Sequence, residues 1–503
     1  MKILSAEQLR EADAFTIDRE NLAPGELMER AALSFTNWFE QHCTREKEIA
    51  IFCGPGNNGG DGLAIARLLN ERDYLVRTFL PKTNSVFTPE FELNRDRLPQ
   101  AIPVVNYQNP TELHHFHLGK TLIIDALFGT GLNRPLAGIY AETIEFLNAL
   151  ETEIISVDMP SGLYTNQPTP ANAAVIQATK MVTFASPKLA FLLPQNQRFT
   201  GEMHTVYIGL SISFIASLHS PYHFTEADSV RSLWKPRPVF GHKGTFGHAL
   251  LLAGSYGKAG AAVLTVRACL RSGAGLVSVS LPKAAYQIMQ ISAPEAMVIA
   301  DASETNLTQL PAELEKYSAI GIGPGIGQAP ETKKLLAELL EKTPAPLVLD
   351  ADALNILSAD KALLDLLPPE TILTPHPKEF ERITRPVSDD FERLDLLREF
   401  CEQYRCYVVL KGAYSCVGTP SGNLYFNSTG NAGMATGGSG DALTGIITAL
   451  RAQRYSAEDA CILGVYIHGL AGDFVKERRG ETALIASDII ENLGLAFRTL
   501  EGK

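Results

Sequence analysis

Cysteine is scarce in this 503-residue chain, with seven at Cys43, Cys53, Cys269, Cys401, Cys406, Cys416 and Cys461. None forms a CxxC pair and the total is odd, so neither a zinc spacing nor a disulfide framework emerges. Positive charge is in deficit: 44 Lys and Arg stand against 56 Asp and Glu, a net charge of −12. That balance argues against nonspecific attraction to nucleic-acid phosphates, leaving only a local basic patch open. No apolar run is long enough to span a bilayer, so no membrane partner is expected. The opening MKILSAEQLREADAFTI carries charges every few residues and lacks the apolar core of a secretory signal, which makes a reducing cytoplasm the expected location. Tandem repeats and low-complexity tracts are also missing. What is present is a chain 45% apolar and 20% charged, too long for one ordinary core. Two large domains and a small-molecule enzyme fit these bounds.

Short β-like runs alternate with helical stretches. EIAIF precedes Cys53, LVRTF starts at Leu75, TLIID ends at Asp125, EIISV precedes Asp158, and MVTF starts at Met181. Ser5 and Gln8 have capping-box spacing before a helix that places Leu9, Ala12 and Phe15 on one side and reads as structural. After about residue 220, HSPYHFTEADSVRSLWKPRPVFGHKG has no clear period and reads as a linker. The rhythm then restarts with HALLLAG, GLVSVSL, AIGIGPG, PLVLDAD, TILTPHP and YVVLKGA. The expected fold is α/β in two domains, each with a mainly parallel sheet, spanning 1–218 and 225–503. Ligands should gather where parallel strands end.

In the first half, strand EIAIF runs into Cys53-Gly54-Pro55-Gly56-Asn57-Asn58-Gly59-Gly60-Asp61-Gly62 and then a helix. Glycines allow close backbone approach and the helix start favours an anion; a tight turn is the plainer alternative. Gly54, Gly56 and Gly59 satisfy G-x-G-x-x-G, yet Thr78 to Lys82 lack the acid expected on a ribose, which disfavours a hydride-transfer site. Asn58, Asp125 and Ser161 bring separate oxygens to strand ends and can hold a hard cation of low charge, although each taken singly is more often a cap. Asp158 stands at another strand end, where a carboxylate is suited to act as a base, with no acid assigned. Arg134 reads equally as a substrate contact or a surface ion pair, and Tyr140 as pocket lining or core.

In the second half, Asn431-Ala432-Gly433-Met434-Ala435-Thr436-Gly437-Gly438-Ser439-Gly440-Asp441 leads into the helix-forming ALTGIITAL. Its amides would stabilise developing negative charge, with Asp441 placed to handle a proton; a plain helix cap competes. Lys411-Gly412-Ala413-Tyr414-Ser415 follows YVVL and can supply amides and an ammonium to a nucleotide phosphate. Gly323-Pro324-Gly325 follows AIGI, and His376 is held between Pro375 and Pro377, which favours a positioned side chain over a buried histidine bonded to backbone. Asp350 and Asp352 in LDADALN suit a magnesium-linked role or a helix cap equally.

GPGNNGGDG, DALFGTGL-x-RPL-x-G and VDMPSGL resemble the three motifs of the NAD(P)H-hydrate epimerase family, over most of residues 1 to 215. The resemblance implies a Rossmann-like three-layer domain with potassium at Asn58, Asp125 and Ser161. It places the hydrate against Asn57, Asn58, Gly59, Gly60 and Asp61, against Gly129, Thr130, Gly131, Leu132, Asn133, Arg134 and Pro135, and against Asp158, with Tyr140 nearby. LLAGSYGKAGAAVLTVRACLRSGAGLV, IGIGPGIG, LDADALN, LTPHPKEF, VLKGAYS and ATGGSGDALTG, in this order, resemble the ADP-dependent NAD(P)H-hydrate dehydratase family, over residues 225 to 500. That resemblance implies a ribokinase-like domain using ADP and Mg2+. Lys411, Gly412, Ala413, Tyr414, Ser415 and Gly440 would bind the nucleotide, while Ala262, Gly325, His376 and Asp441 would contact the hydrate. Ala432 stands where that family often has proline, and Lys378 where it commonly has glycine. The expectation is repair of hydrated NAD(P)H: epimerisation of its R and S forms in the first half, and dehydration of the S form with ADP converted to AMP in the second. Assembly into a homo-oligomer is expected, since enzymes of this type often assemble. Two rivals differ in class: a ribokinase-type small-molecule kinase, which would release a phosphorylated acceptor, and a binding scaffold like the decapping proteins that share the first fold.

Overall fold

The computed structural model describes Met1 to Gly502. It divides into two compact units. One comprises Lys2–Ser220 with Asp389–Phe391, the other Pro221–Ser388 and Glu392–Lys503 with Met1.

The first unit carries seven strands: β1 (Ile49–Cys53), β2 (Val76–Pro81), β3 (Val104–Tyr107), β4 (Leu122–Ala126), β5 (Ile154–Val157), β6 (Lys180–Phe184) and β7 (Glu202–Val206). Their order in the sheet is β3-β2-β1-β4-β5-β6-β7 and every pairing is parallel. Buried runs such as the wholly enclosed β1 and β4 reflect helices on both faces, each face having its own apolar cluster. Chain direction across the sheet reverses between β1 and β4, and that switch point opens a crevice beyond their carboxyl ends. β3 and β7 were not expected: β3 is largely exposed at the sheet edge and β7 is only half-buried, so neither carries a full apolar signal.

The second unit holds β8 (Tyr222–Phe224), β9 (His248–Leu252), β10 (Leu276–Leu281), β11 (Met297–Ala300), β12 (Ala319–Ile322), β13 (Leu347–Leu349), β14 (Ile372–Leu373), β15 (Tyr407–Leu410), β16 (Cys416–Gly418) and β17 (Leu424–Phe426). The order is β11-β10-β9-β12-β13-β14-β15-β16-β17-β8, parallel from β11 to β15 and antiparallel from β15 through β17. Its switch point lies between β9 and β12. The stretch read as a linker is corrected: it contributes β8, paired with β17, and a helix at Ala227–Leu233 whose Val230 enters the core. Both are too short to impose a period. All seven cysteines are free. Among the described residues, no helix is long and apolar enough to cross a membrane.

Candidate functional sites at two sheet edges

In the first unit, pairing of β1 with β4 sets Phe52 beside Asp125, and pairing of β4 with β5 sets Asp125 beside Ser156. The glycine loop and the Asp125 carboxylate therefore emerge together. Asp125 is fully buried, and no lysine, arginine or histidine pairs with it among the described residues. Its oxygens accept from Ser161 Oγ (2.5 Å), Ser156 Oγ (2.8 Å) and the Ser161 amide (2.9 Å). Burial raises its pKa despite these donors. Asn58 is also buried, beside Gly129, and its Nδ2 finds no partner. Ser161 and the Phe128 carbonyl, which Ser161 Oγ touches at 3.2 Å, bring oxygens to the buried Asp125 carboxylate, and the Asn58 amide offers a further oxygen from the neighbouring loop. This donor chemistry fits a cation of low charge.

Beyond it lies a cleft of about 840 Å³, lined by Asn57, Asn58, Asp61, the loop Gly129–Arg134 and Asp158. Arg134 is exposed and makes no ion pair among the described residues, so the surface-pair reading fails. Gly59 and Gly60 are buried, and a Cβ on Gly59 would sit 1.8 Å from the Gly54 carbonyl, so its role is close backbone approach. Tyr140 stands behind the lining: its hydroxyl meets Thr83 Oγ1 at 3.2 Å and its ring packs edge-on against Phe128.

Asp158 adopts φ 63°, a left-handed conformation that a non-glycine residue holds only under constraint. The constraint is visible. Lys188, wholly buried, donates from Nζ to Asp158 Oδ1 (2.5 Å), Thr183 Oγ1 (2.7 Å) and the Phe184 carbonyl (2.9 Å). The Phe184 amide and Thr183 hydroxyl also donate to Oδ1, at 3.1 and 3.2 Å, which leaves Oδ2 without a hydrogen bond. Lys188 escaped the sequence reading, although it follows the end of β6 as Ser186-Pro187-Lys188. Asp13 escaped it too. The first helix (Ala6–Glu20) has the expected Ser5–Gln8 capping box, and Leu9 and Ala12 are buried. Phe15, however, is 37% exposed and Thr16 is buried in its place. The helix is not merely structural, because Leu9, Arg10, Asp13 and Ile17 line the cleft.

In the second unit, the glycine-rich segment ends in a helix at Ser439–Ala452, entered through Gly438 at φ 89°. Asp441 lies in its first turn. Burial chiefly, then the charges of Asp350 and Asp352, raises its pKa to about 6 against the pull of Lys411. Lys411 Nζ donates to Asp350 Oδ1 (2.9 Å) and lies 3.9 Å from Glu379, while Thr444 Oγ1 donates to Asp350 Oδ2 (2.7 Å). Burial works against the ammonium, but Asp350 and Glu379 hold its pKa above the usual lysine value. Asp352 receives the Gly327 amide (2.9 Å) and Lys258 (3.1 Å), tying the loops after β12 and β9 to β13. Gly325 takes φ 65°, where an added Cβ would sit 3.1 Å from Lys258 and Ala261, and Ala262 packs against Gly254. His376 caps the helix Pro377–Ile383: its Nδ1 accepts the Glu379 amide (3.3 Å). Burial lowers its pKa despite Glu379, favouring the neutral ring. The Gly412 amide and carbonyl both bond Ser415 Oγ, at 3.2 and 3.1 Å, closing the Lys411–Ser415 loop. Gly440 lies against Lys411 Nζ and Asp350 Oδ2.

Comparison with known proteins follows the same division. A family model described as NAD(P)H-hydrate dehydratase matches residues 249–494, and one described as YjeF-related protein N-terminus matches 24–190. The bifunctional NAD(P)H-hydrate repair enzyme of Moorella thermoacetica is 34% identical, with 100% of this chain and 97% of that protein covered. That of Escherichia coli K12 is 32% identical over 97% of this chain and 92% of that protein. Among solved structures, a ribokinase-like superfamily protein from Enterococcus faecalis superposes with TM-score 0.51 at 27% identity, covering 56% of this chain and 98% of its own. An ADP/ATP-dependent NAD(P)H-hydrate dehydratase from Bacillus subtilis, co-crystallised with ATP and Mg2+, gives TM-score 0.49 at 30% identity, covering 55% and 98%.

Proposed function

The chain belongs to the family of bifunctional NAD(P)H-hydrate repair enzymes, and from that premise we propose how its two sheet edges divide the work. The first unit interconverts the R and S hydrates. The second dehydrates the S form, so that hydrate and ADP become NAD(P)H, AMP and inorganic phosphate. The observation that carries this reading is that each unit brings a carboxylate to the carboxyl end of its parallel strands with a lysine beside it: Asp158 with Lys188, and Asp441 within the field of Lys411.

In the first unit Asp158 acts as base through Oδ2, the oxygen that Lys188 leaves open. Asn57, Asn58 and Asp61 meet the coenzyme from one wall, and Gly129 to Arg134 from the other, with Pro135 closing that loop outside the lining. Asn58, Asp125 and Ser161 would hold a potassium ion, which when bound supplies a fixed positive charge toward the anionic coenzyme. In the second unit Asp441 takes the proton of the substrate hydroxyl while Lys411 to Ser415 and Gly440 receive the nucleotide phosphates. Phosphorylating the hydroxyl turns a poor leaving group into a good one. Magnesium would enter with the phosphates near Asp350 and Asp352 and supplies charge neutralisation there. Ala262, Gly325 and His376 form the hydrate side of the pocket.

The test uses separately prepared R and S hydrates, with and without ADP, following the absorbance of reduced nicotinamide. Both epimers should be recovered, and only when ADP is present. A phosphorylated acceptor with no recovery would instead identify a kinase.

A further inference from the structure

We propose that Asp13, on the first helix, is the acid that protonates the departing hydroxyl during epimerisation, working with Asp158 as base; this rests on the reading of the cleft given above. Asp13, Asp61 and Asp158 line one cleft together with Lys188. Asp158 is fixed by Lys188, whereas Asp13 has neither hydrogen bond nor ion pair among the described residues. It sits in the middle of the Leu9–Asp13–Ile17 stripe, one residue per turn, all facing the cleft. A carboxylate there does no structural work: it caps nothing and pairs with nothing. The helix itself is held firmly. Its start has the Ser5–Gln8 box, and near its end Arg19 bonds Ser211 (2.9 Å) and Ser213 (3.0 Å) while Thr16 accepts the Ser211 amide (3.1 Å). An independent sign of a ligand in this cleft is Asn58, buried and lining it, whose Nδ2 lacks a partner.

Protonation state separates Asp13 from its neighbour. Burial first, then the charge of Asp158, raises Asp13 to about 6 in spite of Lys188. Asp61 is raised well above the usual carboxylate range, again by burial first and then by Asp158 and Asp13. Burial and its two acidic neighbours favour the neutral form of Asp61, while Asp13, at about 6, can give up a proton and regain it near neutrality. The remaining charged groups lining the cleft are Arg10, Glu90 and Arg134.

The chemistry needs such a group. Dihydronicotinamide is an enamine, so hydration places the proton on the β-carbon and the hydroxyl on the carbon beside the ring nitrogen. Asp13 gives its proton to that hydroxyl oxygen. The C–O bond breaks as the nitrogen lone pair forms C=N⁺, and water leaves. Another water adds its oxygen to the opposite face, the C=N electrons return to nitrogen, and the surplus proton passes to Asp158. One water leaves and one enters; Asp158 then releases its proton to solvent and Asp13 takes one back, which restores both carboxyl groups.

The experiment measures epimerase rates over the uncatalysed background in the full chain from pH 5 to 9. Asp13→Asn should lower kcat about 100-fold with KM little changed. The fall in rate as pH rises through about 6, which reflects loss of the Asp13 proton, should disappear from what remains. Asp13→Glu should restore part of the rate and the fall. Turnover in ¹⁸O-labelled water should label the hydroxyl. An Asp13→Asn enzyme that keeps its rate and its descending arm would overturn the proposal. So would a lost rate that Asp13→Glu does not restore, or unlabelled product. A wild-type chain without epimerase activity would defeat the functional reading itself.

Discussion

The two sites use the same pair of residue types in opposite arrangements. In the first unit the lysine is bonded directly to the proposed base, since Lys188 is wholly buried and grips Asp158 Oδ1. In the second the lysine is bonded to a neighbour: Lys411 pairs with Asp350, and Asp441 is left with only the weaker field of both. Direct pairing fixes where the Asp158 carboxylate points, on a backbone in the left-handed region. Indirect pairing leaves Asp441 at about 6, titrating near neutrality and free to take a proton. One arrangement specifies orientation and the other specifies proton affinity.

The sharpest way to break this comparison is a reciprocal pair of isosteric variants. Asp441→Asn should lower dehydration by roughly 10²–10⁴-fold and spare epimerisation, while Asp158→Asn should do the reverse. Equal loss of both activities in either variant would defeat the idea of two independent centres. The same variants separate the two arrangements by stability. Asp441 is disfavoured as a charge on folding, so its contribution is intact below the ordinary carboxylate pKa and is lost as pH rises through about 6. Asp441→Asn should therefore be more stable than wild type at pH 7, by at most about 3 kcal/mol, and the gain should vanish below pH ~4. Asp158→Asn removes one end of an ion pair and should melt lower at pH 7.

A second contrast concerns the lysines. Lys188→Met leaves Asp158 partnered only by Thr183 and the Phe184 amide, and breaking so buried a pair should cost about 3 kcal/mol. Lys411 is 23% exposed, but its partner Asp350 is 1% exposed and would keep only the Thr444 hydroxyl, so Lys411→Met should destabilise at least as much while raising the nucleotide KM. Thermal melts of the two variants, read beside both activities, test this ordering.

Much of both sites was legible in the sequence, because strand–glycine–helix punctuation announces where parallel strands stop. Asp125, Asp158, His376, Lys411 and Asp441 all stand within a few residues of such a stop or at a helix start. The eleven strand runs read from the sequence as β1, β2, β4, β5, β6, β9, β10, β12, β13, β14 and β15 lie within a residue or two of the observed strands. What sequence reading missed lacks that punctuation. Asp13 sits in mid-helix, and only its place in an apolar i, i+4, i+8 stripe marks it. Lys188 is unreadable as a wholly buried cation until β6 is known to end against Asp158. The strands β8, β16 and β17, of three residues each, went unread as well.

The smallest expected effect distinguishes the two glycine loops. A Cβ on Gly59 would lie 1.8 Å from the Gly54 carbonyl oxygen and 2.7 Å from its carbon, a clash with backbone that only displacement of the loop can relieve. A Cβ on Gly440 meets Lys411 Nζ at 3.4 Å and Asp350 Oδ2 at 3.7 Å, ordinary contact distances with side-chain atoms. Gly440→Ala should therefore leave the melting temperature near that of wild type, helped slightly by the better helix propensity of alanine in the first turn. The added methyl would still stand beside Lys411, where the proposal puts phosphate, so the KM for ADP should rise about fivefold, roughly 1 kcal/mol of binding, with epimerisation untouched. Gly59→Ala should lower the melting temperature and epimerase activity together. If Gly440→Ala instead unfolds the second unit without a specific loss of nucleotide affinity, the glycine serves packing there as Gly59 does, and the phosphate belongs elsewhere along the loop.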